Sequence, residues 1–388
     1  MSTFATLGVK KPFIQSIKEL GIHTPSEIQE KTIPILLNKR TDFVGLAQTG
    51  TGKTAAFGLP IVQQINPSNT AVQALILSPT RELVQQIKKQ LFKYTKYYDH
   101  KVFVEAVYGG EKIDRQIHNL ERTTHIIVAT PGRLIDLIER GNINLKEIKT
   151  LVLDEADEML SMGFKNDLTS ILKTTKGSKS TWLFSATMPE DLKAIVKRYI
   201  KEDAVRLEIN RNHLVNANIS HYFVETSIPK KIDTLISILE ERDEERGIIF
   251  CRTKAGTQAL AHQLKQEGFN VDALEGDMQQ KEREKVMRAF KNSNLQILIS
   301  TDVSARGIDV NNVTHAINYN LPEEAENYTH RSGRTGRAGK LGTSIVIVTK
   351  SEIRKISSIE RIIKQKFEEK TIPSSHFFIF AICFSNFP

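Results

Sequence analysis

Cysteine is nearly absent: two residues in 388, Cys251 inside an apolar run and Cys383 near the end. That scarcity excludes a disulfide framework and a cysteine-rich zinc site, and it points to a reducing compartment. Long hydrophobic runs are missing as well. The longest, residues 377–384, falls far short of the roughly 20 residues a membrane-crossing helix needs, and the amino terminus MSTFATLGVKK has no apolar signal core. A cytoplasmic protein without a membrane part is expected. Negative charge is in deficit, with 45 Asp and Glu against 54 Lys and Arg, a formal charge of +9. Such a balance favours a polyanionic partner, nucleic acid first. The rest is ordinary globular usage, 40% hydrophobic and 26% charged, which fits neither a disordered scaffold nor a membrane-integral chain. At about 150 residues per domain the length predicts two or three domains.

Short apolar, β-branched runs alternate with amphipathic stretches, the pattern of βαβ units around parallel sheets, so the fold class is α/β. Strands are expected at 43–47, 74–78, 101–107, 125–129, 150–153, 181–184 and 205–209, then at 220–224, 247–251, 271–274, 296–300, 314–318 and 343–348. Between the two sets, residues 210–218 (NRNHLVNAN) are polar, Asn-rich and without a sustained apolar period. We read them as the linker between a domain at 1–209 and a second at 219–373. Residues 374–388 (SSHFFIFAICFSNFP) carry no Asp, Glu, Lys or Arg, and 377–384 are apolar on both faces of any strand they could form. They are expected to be an atypical, dispensable tail, such as a truncated end or a shifted reading frame would produce.

After the first strand comes Ala47-Gln48-Thr49-Gly50-Thr51-Gly52-Lys53-Thr54, a phosphate-binding loop with Ala in place of its first Gly. Small residues let consecutive backbone N–H groups turn onto phosphates, the following helix adds its positive end, Lys53 supplies a point charge, and Thr54 offers a hydroxyl to Mg²⁺. About a hundred residues later an apolar strand delivers Asp154-Glu155-Ala156-Asp157 at its carboxyl end, where open parallel sheets bind ligands. By analogy with other phosphate-loop enzymes, Asp154 associates with the metal and Glu155 polarises the attacking water. Together the two segments predict nucleotide hydrolysis with Mg²⁺.

At Asp-Glu-Ala-Asp the chain resembles the DEAD-box ATP-dependent RNA helicases of helicase superfamily two, through motifs in family order up to about residue 372. The resemblance implies two tandem RecA-like domains. Gly21 to Gln29 resembles the Q motif, whose Gln29 reads adenine, with Phe4 upstream where the family keeps an aromatic. Ile22 stands where the family has Phe or Tyr, so adenine meets an aliphatic face. Pro79, Thr80 and Arg81, the Gly109-Gly110 pair, and Thr130, Pro131, Gly132 and Arg133 match motifs that hold the RNA backbone. Ser185-Ala186-Thr187 matches the motif linking hydrolysis to the domain interface. In the second domain, Arg252, Gln280, Arg283, Thr301 and Asp302 fall at RNA-binding positions. Gly307 and Asp309 fall at nucleotide positions, Asp309 on the ribose. His330 to Arg337 crowds cationic and titratable side chains, which favours a bound polyanion. By resemblance Arg334 and Arg337 are arginine fingers on the γ-phosphate. The implied activity is RNA-stimulated ATP hydrolysis by a monomeric core acting on single strands and short duplexes, with little sequence preference; protein partners are unknown. An ATP-gated RNA clamp without turnover conflicts with the presence of Lys53, Glu155, Arg334 and Arg337. A translocating DNA helicase conflicts with Gln29 and Asp157, and a phosphate-loop kinase predicts no second Arg-rich domain.

Overall fold

The computed structural model describes residues 2–48, 50–175, 179–209, 218–242, 245–305, 308, 310, 312–337 and 340–371. Residues 210–217 of the expected linker and the whole expected tail lie outside this set. The chain divides into two compact units, Met1–Arg211 and Asn212–Pro388.

Each unit is built on one seven-stranded parallel sheet. In the first, β1 (Phe43–Leu46), β2 (Ala74–Leu77), β3 (Val104–Val107), β4 (Ile126–Ala129), β5 (Thr150–Asp154), β6 (Ser180–Ser185) and β7 (Val205–Glu208) lie in the order β3-β4-β2-β5-β6-β1-β7. Strands β2, β4, β5 and β6 are buried along their whole length. Helices cover both faces of a parallel sheet, so its strands read as continuous apolar runs. The period-two pleat sorts neighbours onto opposite cores. Phe43, Ile76, Val152 and Trp182 pack on one face with Phe4 and Phe57, whereas Val44, Leu75, Leu77 and Leu151 pack on the other.

The second unit carries β8 (Ile219–Glu225), β9 (Gly247–Phe250), β10 (Val271–Leu274), β11 (Ile297–Ser300), β12 (His315–Asn318), β13 (Gly342–Val348) and β14 (Glu368–Glu369) in the order β10-β11-β9-β12-β13-β8-β14. Position for position, this repeats the first order. All thirteen expected strands are present. The third is shorter than expected, beginning at Val104 rather than at 101, and β14, only two residues long, is too short to leave a periodic signal.

Two histidines are sealed inside the second unit. His221 Nδ1 lies 2.6 Å from the Tyr328 hydroxyl, and the His315 ring sits where a Cβ on Gly247 would come within 2.1 Å of its Nε2. Burial holds both near a pKa of about 4, with Arg242 adding to the effect at His315 against the pull of Glu245. Unfolded, each titrates near 6.5. Between those values the unfolded chain binds more protons, so this stability is present above about pH 6.5 and lost as pH falls toward 4. Thermal melts between pH 7.5 and 4.5 will show this unit losing on the order of 3 kcal/mol per histidine, and His221→Gln will flatten the slope. A pH-independent melt would contradict the burial of these rings.

Candidate active site

Strand β1 is buried, and the chain leaving it turns back through two left-handed glycines, Gly50 at φ 81° and Gly52 at φ 96°. Gly52 caps the helix Lys53–Gln64 and is crowded: a Cβ there would lie 2.4 Å from Gln29 Nε2 and 3.0 Å from Ser26 Oγ. Those two residues brace the loop from outside. Ser26 Oγ donates to Thr51 O at 2.7 Å, and Gln29 Nε2 donates to Gly52 O at 3.1 Å while its Oε1 accepts from Ser26 N at 3.0 Å. Thr51 Oγ1 donates to Gln48 O at 2.8 Å, and Lys53, only 6% exposed, donates to Ala47 O at 3.0 Å. Thr49 lies outside the described residues. Gly52→Ala therefore combines backbone strain of about 1–3 kcal/mol with a collision against Gln29. It will weaken binding of a fluorescent nucleotide at least tenfold. Gly109→Ala, where a Cβ meets nothing within 4 Å, will leave nucleotide affinity alone; equal effects would disprove the steric account.

Strand β5 ends in the buried Asp154, whose Oδ1 has no hydrogen-bond partner. Burial pushes its carboxyl up to about 7 against the opposing charge of Lys53, with Glu155 and Asp157 adding to the rise. Glu155, also buried, holds φ 51° and ψ 53°, a left-handed conformation unusual outside glycine. Asp157 fixes this turn to the end of β6: its Oδ2 accepts from Thr187 N and Thr187 Oγ1, both at 2.8 Å, and its own N donates to Ser185 Oγ at 3.2 Å. The residues fit a magnesium ion. Among the described residues no three His, Cys, Asp or Glu gather as a metal cluster, but Mg²⁺ usually takes one or two carboxylates and completes its shell with water and phosphate oxygens. The orphaned oxygen of Asp154 and the hydroxyl of Thr54, next to Lys53, supply that kind of donor set.

The strand order separates two groups of side chains along one carboxyl edge. The loop and the acids follow β1 and β5, whereas Pro79 to Arg81, Gly110 and Thr130 to Arg133 follow β2, β3 and β4 on the other half. Thr80 caps the helix Arg81–Tyr94 by accepting from Leu83 N at 3.3 Å. Thr130 caps the helix Pro131–Glu139, with Pro131 and Gly132 in its first turn. Gly110, at φ 84°, lies under Arg81, whose Nη1 a Cβ would meet at 2.1 Å. Arg133 Nη1 donates to Glu111 O at 3.2 Å.

The second unit repeats the division. Arg252 follows β9 and donates its N–H to Asn320 Oδ1 at 3.1 Å. Gln280 opens the helix Gln280–Lys291 and bonds Glu284 at 2.9 Å, and Arg283 Nη2 donates to Ser304 O at 3.0 Å. Thr301 and Asp302 follow β11, and Thr301 Oγ1 donates to Ser304 Oγ at 3.1 Å. Asp302 is committed inside the unit, because Arg331 Nε and Nη2 grip its two oxygens at 2.5 and 2.8 Å. Arg331, 2% exposed, also donates to Asn318 Oδ1 and to Asn320 O, and its guanidinium lies 5.3 Å from the Phe250 ring centroid. Part of the positive charge in 330–337 is thus answered internally. Arg334, 6% exposed, donates to His330 O and Ile308 O at 3.1 Å each, and Arg337 Nε donates to Gly333 O at 3.0 Å. Gly307 and Asp309 lie outside the described residues. Lys231 opens the helix after β8 as Lys53 opens the one after β1, and its Nζ is 5.4 Å from the Tyr319 ring centroid. The ladders place Tyr319 where the first unit has Asp154, four residues beyond Thr150 and its counterpart His315. Sequence reasoning missed Ser26, Asn318, Asn320 and the role of Arg331; the only signal was the three-residue spacing of Ser26 and Gln29 that marks a capping box.

Residues 26–195 match the DEAD/DEAH box helicase family and residues 230–339 the helicase conserved C-terminal domain, one match in each unit. The DEAD-box ATP-dependent RNA helicase CshA of Geobacillus kaustophilus (strain HTA426) is 43% identical over 374 residues, covering 96% of this chain and 79% of that protein. The chain belongs to the DEAD-box ATP-dependent RNA helicases. Among solved structures, S. cerevisiae Dbp5 bound to RNA and ADP BeF3 matches with a TM-score of 0.88 at 31% identity, covering 95% of this chain and 96% of that one. Mss116p bound to ssRNA and AMP-PNP matches at 0.85 and 30%, covering 95% and 80%. Two tandem RecA-like sheets are the fold common to all of them. Among the described residues no helix is long and apolar enough to cross a membrane.

Proposed function

We propose that this protein hydrolyses ATP when RNA is bound and uses the cycle to open short duplexes or remodel RNA–protein complexes. The observation that carries the reading is the buried, unpartnered oxygen of Asp154 beside Lys53, on the same sheet edge as the Thr80, Arg81 and Arg133 set. Lys53 holds the phosphates, Glu155 orients the attacking water, and Arg334 and Arg337 answer the charge that develops on the transferred group. Thr54 and Asp154 hold Mg²⁺, which when bound neutralises phosphate charge. RNA is gripped by backbone, hydroxyl, amide and guanidinium contacts to phosphate and sugar at Pro79 to Arg81, Gly110 and Thr130 to Arg133 in one unit and at Arg252, Gln280, Arg283, Thr301 and the backbone of Asp302 in the other, so recognition carries little sequence information. Gly307 and Asp309 belong to the nucleotide set. The core works as a monomer, in the cytoplasm. Cys251 suits that location, its thiol buried and its pKa pushed up to about 12, hence inert.

Gln29 is proposed to select adenine. Its amide keeps one hydrogen and one lone pair beyond the bonds to Gly52 and Ser26, enough for one donor and one acceptor contact. Gln29→Ala will weaken ATP more than GTP, and some loss on GTP will remain because the brace on Gly52 is gone. The decisive measurement is phosphate release with and without single-stranded RNA or DNA, alongside strand separation of a short labelled RNA duplex. ATPase that RNA fails to stimulate, or that DNA stimulates equally, would overturn the proposal.

A further inference from the structure

The helix Arg81–Tyr94 buries Val84, Ile87, Leu91 and Tyr94 along one side. Its other side begins at Arg81 and continues at helical spacing through Gln85, Lys88 and Phe92, a stripe about 16 Å long. Arg81 lies against Gly110 at one end, and at the other Phe92 is 72% exposed. Between this stripe and the edge strand β3 is a cavity of about 380 Å³, at the lower end of the range typical of ligand pockets. Val104, Ala106, Phe92 and Tyr108 give it apolar walls, and Gln85 and Asn119 place side-chain amides in it. Gln85 Nε2 donates to the Tyr108 hydroxyl at 2.7 Å. The two carboxylates present are neutralised: Glu105 meets Lys88 at 3.0 Å and Glu111 meets Arg115 at 3.2 Å.

We propose that this groove is a subsite for single-stranded RNA, taking an unstacked nucleobase beyond the residues that grip the backbone. The inference rests on the RNA reading above. A flat aromatic, amide groups and balanced charge suit a base, which presents a π face and polar edges, better than a bare phosphate. RNA is favoured over a protein segment by continuity: Tyr108 and Glu111 flank the Gly109-Gly110 turn, and the stripe starts at the arginine packed on that turn. Lys89, on the same rim and without an ion-pair partner among the described residues, can follow the phosphate of the extending strand.

The test compares wild type with Phe92→Ala in the full chain, by fluorescence anisotropy, on a short uridine strand that fills the backbone grip and on the same strand lengthened at either end. An extension of about five nucleotides covers about 16 Å even at the stacked rise of about 3.4 Å each, and an unstacked strand reaches further. Wild type will bind one lengthened strand more tightly than the short one. Phe92→Ala will remove that gain, about tenfold, while leaving melting temperature, short-strand affinity and short-strand-stimulated ATPase unchanged. A 4-thiouridine in the extension will crosslink to residues 85–92 or 104–111. Equal weakening of both strands, or no effect on either, overturns the subsite; the second result would leave Phe92 to a protein contact. A wild-type protein that binds neither strand sinks the RNA reading itself, and the groove with it.

Discussion

Glu155→Gln will bind ATP and RNA and scarcely turn over. The side chain stands at the carboxyl end of a fully buried strand, one residue beyond Asp154, in a left-handed backbone conformation held by the bonds of Asp157 to Thr187 and Ser185. The rest of the cradle is untouched by exchanging one oxygen for an NH₂, so binding survives. What is lost is the acceptor that orients and polarises water, a role worth about 10²–10⁴ in rate. Rapid-quench measurement of a single turnover, with filter binding of RNA in the presence of ATP, separates the two effects. A turnover rate within threefold of wild type would remove Glu155 from the chemistry. Glu155→Asp is a useful companion, since it keeps the charge and withdraws it by one methylene.

A larger loss is expected from Arg337→Lys. An arginine finger supplies about 10³–10⁵ in rate through a planar fork that an ammonium cannot imitate. In this chain the forks are aimed by the backbone: Arg334 is pinned by His330 O and Ile308 O, and Arg337 by Gly333 O. A lysine keeps the charge but not the aim. Steady-state kcat should fall by about three decades or more with nucleotide-free RNA affinity preserved, because the RNA set of that unit follows β9, β10 and β11 instead. A fall of less than tenfold would show that the fork reaches no developing charge.

How much of this was legible in the sequence follows from the range of the interactions. The phosphate loop is local, eight residues whose glycines are demanded by backbone angles, and the parallel strands announce themselves as uninterrupted apolar runs. Lys53 and Asp154 could be named for the same reason, and Gln29 only through the resemblance of its motif. The brace from Ser26 to Thr51, the lock from Asp157 to Thr187 and the clamp of Arg331 on Asp302 span 25, 30 and 29 residues. The lock needs β5 and β6 as neighbours, the clamp needs the helix after β12 placed by the end of β11, and the brace needs a helix start set against the loop; nothing in the local pattern carries such placement. Asp302 is the instructive case: as a motif residue it points to RNA, whereas both its oxygens are taken by a buried arginine. Removing one partner of such a pair leaves an uncompensated buried charge, at a cost of about 3–5 kcal/mol, so loss of RNA binding in an Asp302 variant would report folding first.

The repeated strand order makes the chain its own control experiment. The second unit keeps the scaffold and even keeps a buried lysine, Lys231, at the head of the helix that follows the corresponding strand. It lacks the left-handed glycines and the following hydroxyl, and an aromatic ring stands in the register of the carboxylate. With no carboxylate at that place, burial lowers the Lys231 pKa against the opposing charge of Glu352. Architecture held constant, the two sheets therefore differ in a handful of side chains at two strand ends, and of the two ends only the first carries the loop and the carboxylate that fit a nucleotide and Mg²⁺. Transplanting 47–54 and an aspartate into the second sheet is the engineering question this duplication poses, and its answer would measure how much of catalysis the fold provides unaided.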